Sequence, residues 1–191
     1  TALIALGILK NFDMPGMHPD SPESLHIAAE AMKLAFADAH RYIADPAYMD
    51  TTVEALLDEA YLAERAKLID MAKAAQTLEA GNPALNDGDT TFLVAADENG
   101  MLVSLIQSNY TGFGSGYVVP SLGIGIQDRG ALFALDPDHP NALEPGKRPF
   151  HTIIPAFMGW NGTPDTAFGL MGGGMQPQGH VQIVVNLVDF G

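Results

Sequence analysis

The chain has 191 residues, enough for one domain of ordinary size with a proper core, and 47% of them are hydrophobic. Its 23 acidic residues against 9 basic ones give a net charge of −14, which repels phosphate backbones and anionic membranes and argues against nucleic-acid binding. There is no cysteine, so disulfides and thiolate metal sites are excluded. No apolar run approaches the ~20 residues that span a bilayer.

In chain order, "TALIALGILK" reads as an amphipathic or buried helix, with no basic stretch before it and no signal-peptide cleavage site after it. Ser21-Pro22 is a good helix start, with Ser as N-cap and Pro at the first helical position. Leu25, Ala28, Ala29, Met32, Ala35 and Phe36 follow at helical spacing, and the helix should stop before Asp45-Pro46. Thr52 caps a second helical region expected from Val53 to about Ala75, with Leu56, Leu62, Ala66 and Ile69 on one side and a break near Asp58-Glu59. Thr77 to Asp89 collects Gly, Asn, Pro and Asp without periodicity and is expected to be a loop or linker.

From Thr90 the period changes. "TTFLVAA" and "MLVSLIQS" flank "DENG", whose Asn99-Gly100 pair is a hairpin signal. "TGFGSG" is a turn, and short strands are expected around Tyr117–Val119 and Gly123–Gln127. The proline-rich residues 133–149 form an ordered excursion. "HTIIPAFM" and "TAFGLM" read as two strands turned by "GWNGTPD", where Asn161-Gly162-Thr163 fits a glycosylation sequon but reads first as a turn. "QPQGHVQIVVNLVDF" closes as a helix with Pro177 near its first turn. Helices first and strands next predict an α+β fold. Both ends of the chain look like interior points of something larger.

Several residues here are able to carry chemistry. Thr90 opens a strand behind a loose linker, and on its own it is explained by strand propensity. Cleavage of the Asp89–Thr90 bond would instead leave a hydroxyl and a free α-amine on one residue, a nucleophile with its own base. The hydroxyl can make that cut itself by attacking the Asp89 carbonyl. "GLMGGGMQPQGH" has the outline of a phosphate loop but lacks the lysine and the spacing. Its glycines let backbone N–H groups approach a negatively charged centre at a helix start. Gly112, Gly114 and Gly116 alternate without a dinucleotide-binding context and read as a turn. His26 and Glu30 share a helix face, and Asp38, His40 and Asp45 lie further on. No third ligand stands at metal spacing, so solvated or core-satisfied side chains are expected and no metal or cofactor. Lys147-Arg148 is the notable basic pair, with carboxylate binding weighed against a surface or scaffold role.

"DTTFLVAADENGMLVSLIQSNYTGFGSG" resembles the start of the small subunit of the gamma-glutamyltransferase family, N-terminal-nucleophile hydrolases that process themselves before a Thr-Thr pair. The likeness continues through "PGKRPFHTIIPAFM" and "FGLMGGGMQPQGHVQIVVNLVDFG", and backward through "LHIAAEAMKLAFADAHRYIADP", so it covers nearly the whole chain. The resemblance implies a four-layer αββα sandwich, present here as a partial segment. Residues 1–89 would be the closing helical part of the large subunit with its linker, and residues 90–191 the opening part of the small, catalytic one. The two subunits of one precursor would form a heterodimer acting on a small gamma-glutamyl or acyl amide.

By the same resemblance Thr90 is the nucleophile and Gly172 and Gly173 form the oxyanion hole. Ser108 stands where the family has a threonine that contacts the nucleophile. Five positions depart from the family. Tyr110 replaces an amine-binding Asn, and Leu132 replaces an acidic residue with the same task. Arg129 stands where the motif has Gln or Glu, and His151 and Thr152 replace two carboxylate-gripping serines. An ammonium in a cleft needs a carboxylate or good acceptors, and its main partner is gone. The pattern looks nearer the glutaryl-type cephalosporin acylases, with Arg129 meeting a carboxylate on the acyl group. The alternatives are gamma-glutamyl transfer onto peptides or water, as with glutathione, and a non-catalytic fragment. The family leans to the bacterial periplasm or secretion, but this segment leaves the compartment unassigned.

Overall fold

The computed structural model describes residues 1–76 and 88–191. The Thr77–Asp89 linker expectation lies almost wholly outside the described residues. The chain divides into two compact units. The first holds residues 1–76 with Ala134–Arg148 and Val181–Gly191, and the second holds residues 88–133 with Pro149–His180.

The first unit is helical. Helix α1 (Ala2–Leu9) buries Ile4, Ala5, Ile8 and Leu9. A Cβ at Gly7 would lie 2.4 Å from the Leu62 side chain, so α1 approaches the helix carrying Leu62 as closely as a glycine allows. Helix α2 (Pro22–Tyr42) begins as expected, with Ser21 Oγ accepting the Ser24 N–H at 3.1 Å. It ends at Tyr42 as the chain extends toward Asp45-Pro46. Its buried stripe runs through Ile27, Ala31, Leu34 and Ala35, whereas Leu25 is 57% exposed. The apolar face is therefore rotated from the one read in the sequence. Abundant alanines make two stripes look alike, and the one carrying Ile27 and Leu34 buries more area.

The second helical region breaks where expected. Thr52 caps α3 (Val53–Leu56), and Asp58 caps α4 (Glu59–Ala66) by accepting the Tyr61 N–H at 3.0 Å. It stops at Ala66, not Ala75. The Leu68 and Ile69 N–H groups fold back onto Arg65 and Ala66, and Asp70 takes the Ala72 N–H at 2.9 Å, a local bond that competes with helix. Leu56, Leu62 and Ala66 join the core, with Ile69 packed against it.

The polar groups of this unit are structural. Arg65 grips the buried Asp38 at 2.7 Å, and Glu30 pairs with Lys33 at 2.6 Å. His26 reaches the Asp70 carbonyl, so the His26 and Glu30 pair has separate structural partners. Asp45 receives the Arg148 guanidinium at 2.9 and 3.2 Å as well as the Arg148 N–H, and these bonds hold its carboxyl far below the usual range. Lys147 meets Glu144 at 2.9 Å and lies 4.1 Å over the Tyr48 ring. The Lys147-Arg148 pair is scaffold. His139 accepts the Asn141 N–H at Nδ1 and donates from Nε2 to the His40 carbonyl, which fixes its tautomer and ties down the proline-rich excursion.

The second unit is built of three antiparallel two-stranded sheets. Strands β1 (Gly88–Ala96) and β2 (Leu102–Thr111) form the long hairpin. Its turn rests on Asp97, whose carboxylate takes the Asn99 and Met101 N–H groups, while Asn99 keeps ordinary backbone angles. Strands β3 (Val118–Val119) and β4 (Ile124–Gly125) are short. Asn161 and Gly162 make the two-residue turn with φ of 52° and 79°, joining β5 (Ala156–Trp160) to β6 (Thr163–Phe168). That turn pairs Trp160 with Thr163, so β6 starts and ends three residues before the expected strand. The expected strand from His151 begins only after Pro155, which has no N–H to pair. Helix α5 (Met175–Val185) follows the glycines and widens into a π-helical turn, Asn186–Phe190. The fold is thus mixed helix and strand. Among the described residues no helix is long and apolar enough to cross a membrane.

Candidate active site

Strand alternation buries Thr90 at 7% exposure and turns Thr91 outward. The Thr90 hydroxyl donates to Ser108 Oγ at 2.9 Å, across the register pair Thr90↔Ser108. One step earlier the ladder shifts: Asp89 pairs with Tyr110, leaving Asn109 as an extra residue. The bulge turns Tyr110 to φ 80°, a region a tyrosine seldom enters, and aims its N–H at Ser108 Oγ at 3.0 Å. Ser108 therefore accepts from both Thr90 and Tyr110.

Tyr110 connects this pair to a buried cation. The Arg129 guanidinium carbon lies 5.1 Å from the Tyr110 ring centre, and Arg129 is 5% exposed. Arg129 Nη1 donates to Thr152 Oγ1 at 3.3 Å. Its Nη2 has no hydrogen-bond partner among the described residues. Burial lowers the Arg129 pKa, against the neighbouring Tyr110 and Asp128, which favour the charge. Asp128 itself is occupied, since both its oxygens take Thr111, one from the N–H at 3.1 Å and one from the hydroxyl. The structure thus links Thr90, Ser108, Tyr110, Arg129 and Thr152 in one run of contacts, from residues the sequence holds up to 62 positions apart. His151 is exposed, and Leu132 is half-buried at the end of the 3-10 turn that Arg129 opens.

Gly172 and Gly173 precede α5 with φ of 116° and 56°, angles that favour glycine. Their carbonyls accept the Met175 and Gln176 N–H groups at 2.9 and 3.1 Å, and among the described residues neither glycine N–H makes a hydrogen bond. Two N–H groups at the start of an 11-residue helix are suited to hold developing negative charge. Gly112, Gly114 and Gly116 sit in a turn with positive φ throughout, as expected. Among the described residues no group of three or more His, Asp or Glu side chains is placed to hold a metal ion.

The sequence model of gamma-glutamyltranspeptidase matches residues 1–191. The chain belongs to the gamma-glutamyltranspeptidase family. It is 38% identical, over its whole length, to a glutathione hydrolase-like proenzyme of Bacillus subtilis strain 168, and spans 35% of that protein. It is 42% identical over 92% of its length to an oxamate amidohydrolase proenzyme of Klebsiella pneumoniae, of which it spans 33%. The crystal structure of a cephalosporin acylase from Bacillus halodurans superposes over the whole chain with a TM-score of 0.88 and 50% identity, and the match takes in 34% of that protein. The chain therefore spans about a third of the length of these family members.

Two residues that sequence reasoning passed over belong to the same unit. Gln176 is wholly buried, its Oε1 accepts the Ile154 N–H at 3.1 Å, and its Nε2 has no partner among the described residues. His180 donates from Nδ1 to the Gln176 carbonyl at 2.6 Å and lies 5.2 Å from the Phe168 ring, with Nε2 likewise unpartnered. The available signal was a polar pair four residues apart in a helix that is otherwise largely apolar.

Proposed function

We propose that the full-length protein is a self-processing amidohydrolase or acyltransferase with Thr90 as nucleophile. The single observation that carries this is the buried Thr90 hydroxyl set against Ser108 Oγ at 2.9 Å, one residue past a break in the strand register. Thr90 Oγ1 attacks the Asp89 carbonyl, the peptide becomes an ester, and water releases it, leaving a Thr90 amine. In turnover that amine takes the hydroxyl proton as Thr90 attacks an amide carbonyl. The Gly172 and Gly173 N–H groups receive the oxyanion. The leaving amine departs with the proton, and water or an acceptor amine then takes the acyl group from the Thr90 ester. Ser108 orients the hydroxyl throughout.

Processing would divide the chain into residues 1–89 and 90–191, pieces of the large and small subunits of one heterodimer. The four-layer sandwich fits the outer face of the β1–β2 hairpin, where Leu93, Val103 and Leu105 are exposed as on a sheet that another layer covers. An amidohydrolase, an acylase and a glutathione hydrolase-like protein among the relatives support amide cleavage with differing acyl groups. Leu132 and Tyr110, in place of the amine-binding acid and amide, favour an acyl group without an α-amine, such as glutaryl, over gamma-glutamyl.

The test is the chain terminus. Sequencing the downstream piece of an active full-length preparation should read Thr-Thr-Phe. An active enzyme with an intact Asp89–Thr90 bond rules out self-processing at this position.

A further inference from the structure

Strand β2 carries its backbone strain at one residue, and what holds that residue lies outside the hairpin. Tyr110 stands at φ 80° between Asn109, the extra residue of the bulge, and Thr111. Such a conformation persists in a bulky residue only where the surroundings over-determine it. Asp128 supplies three bonds that bracket it. Its N–H donates to the Asn109 carbonyl at 3.1 Å, one carboxylate oxygen accepts the Thr111 N–H at 3.1 Å, and the other accepts the Thr111 hydroxyl. The chain on both sides of Tyr110 is thereby fixed by a residue 17 positions beyond Thr111. The stretch that follows is docked in the same way. Ser115 donates from its N–H and its hydroxyl to the Ile126 carbonyl at 2.9 and 2.8 Å, and a Cβ at Gly114 would come within 2.6 Å of that carbonyl.

The bracket reaches the opposite strand through Tyr110. In the ladder Tyr110 faces Asp89, and its N–H points at Ser108 Oγ at 3.0 Å, the atom that receives the Thr90 hydroxyl at 2.9 Å. One residue therefore sets both the backbone of Asp89 and the serine against which the hydroxyl is held. A regular ladder continued from Thr90↔Ser108 would place Asn109 opposite Asp89 and draw the Tyr110 N–H away from Ser108.

We propose that Asp128 is a positioning residue for self-cleavage: it holds Tyr110 in its left-handed conformation and so keeps the register break at the Asp89–Thr90 bond. This rests on Thr90 being the nucleophile of that cut. Asp128 works through Tyr110 rather than on the reacting atoms. Once the bond is cut, Asp89 no longer has to face Thr90, and the clamp keeps only the task of aiming the Tyr110 N–H at Ser108. Its loss should slow the cut more than the turnover that follows.

The experiment times self-cleavage of the full-length precursor on a denaturing gel, then measures anilide turnover per cleaved molecule. Asp128→Ala should slow the cut at least about thirtyfold, as expected for losing hydrogen bonds to a charged group, and lower the kcat of the cleaved enzyme only about threefold. Asp128→Asn should restore the cut to within about threefold, because its amide oxygen accepts the Thr111 N–H and its NH2 group donates to the Thr111 hydroxyl. That variant keeps the clamp and drops the charge beside Arg129, which separates the two. Thermal melts in the uncut Thr90→Ala background gauge folding. If Asp128→Ala does not fold, Thr111→Val carries the test, since it loses only the hydroxyl bond and should slow the cut about threefold to tenfold. Cleavage at the wild-type rate in Asp128→Ala, or in Thr111→Val where that variant stands in, overturns the inference and leaves Thr90 standing. A slow cut that Asp128→Asn does not restore overturns it too, and assigns the effect to charge. Equal losses in cutting and turnover reduce Asp128 to a prop of the hairpin. A wild type that never cuts itself removes the nucleophile first, and the clamp with it.

Discussion

Buried polar groups are treated in opposite ways by the two units. In the helical unit each buried charge has a counter-charge: Asp38 has Arg65, Glu30 has Lys33, Asp45 has Arg148 and Lys147 has Glu144. In the strand unit, among the described residues, Arg129 Nη2, Gln176 Nε2 and His180 Nε2 are buried side-chain atoms without a hydrogen-bond partner. Buried polar atoms are almost always satisfied in folded proteins, because each one left unmade costs about 1–3 kcal/mol. One unit therefore spends its polar groups on holding itself together. The other fixes one end of each group with a hydrogen bond and, among the described residues, leaves the other end without a partner.

The sharpest way to break this contrast is at Thr90. Thr90→Ala should abolish both processing and turnover, a fall in kcat of roughly 10⁴ or more, since alanine has no hydroxyl to attack Asp89. Thr90→Ser should keep some of each, and Thr91→Ala should be mild because that side chain faces outward. The band pattern on a denaturing gel and the rate on an anilide report both. If Thr91→Ala is the inactive variant, the nucleophile lies one residue later.

Arg65→Ala tests the opposite half. It leaves Asp38 buried without its partner and should lower stability by about 2–4 kcal/mol, below the full cost of an enclosed pair because Arg65 keeps 20% of its side chain in water. Burial already raises the Asp38 pKa even with Arg65 present, so protonation favours the folded state. The loss should accordingly be greatest near neutral pH and shrink as pH falls through the raised Asp38 pKa toward the ordinary carboxylate value. Thermal melts across pH 3–7 on the full-length enzyme check this, and an Arg65→Ala penalty that does not change with pH would mean that Asp38 stays unprotonated.

The smallest expected effect concerns the acyl group. Wild type should favour glutaryl over gamma-glutamyl anilide by about tenfold to a hundredfold, the cost of desolvating an ammonium beside Leu132 without an ion pair. Leu132→Asp should narrow or reverse that preference. A wild-type preference for gamma-glutamyl by about tenfold or more would assign the amine to residues outside this segment.

Local chemistry was legible in the sequence and long-range chemistry was not. Ser21-Pro22 located α2, Asp58-Glu59 located the break before α4, and the Asn99-Gly100 pair between two apolar runs located the long hairpin. The early end of α4 escaped because the Asp70 turn competes with helix only when its side chain is seen to bond. Thr90, Ser108, Gly172 and Gly173 were singled out as candidates through blocks of family likeness. The contact of Arg129 with Thr152 could not be read, because it joins loops 23 residues apart. Nor could the register shift at Asp89, which goes with Asn109 and Thr111 of β2 bonding to the distant Asp128. Gln176 and His180 were hidden because a polar side chain in a helix is usually a solvated one.

Tyr110 carries a last consequence. Left-handed backbone angles suit asparagine and glycine and burden an aromatic residue, so φ 80° makes this tyrosine an expensive choice that the rest of the hairpin must subsidise. Engineering for heat resistance would replace Tyr110 early, and the melting point would rise while the guanidinium lost its aromatic wall. At this one residue of the hairpin, backbone ease is set against the aromatic contact with Arg129, and a substitution by asparagine or glycine would gain the first by giving up the second.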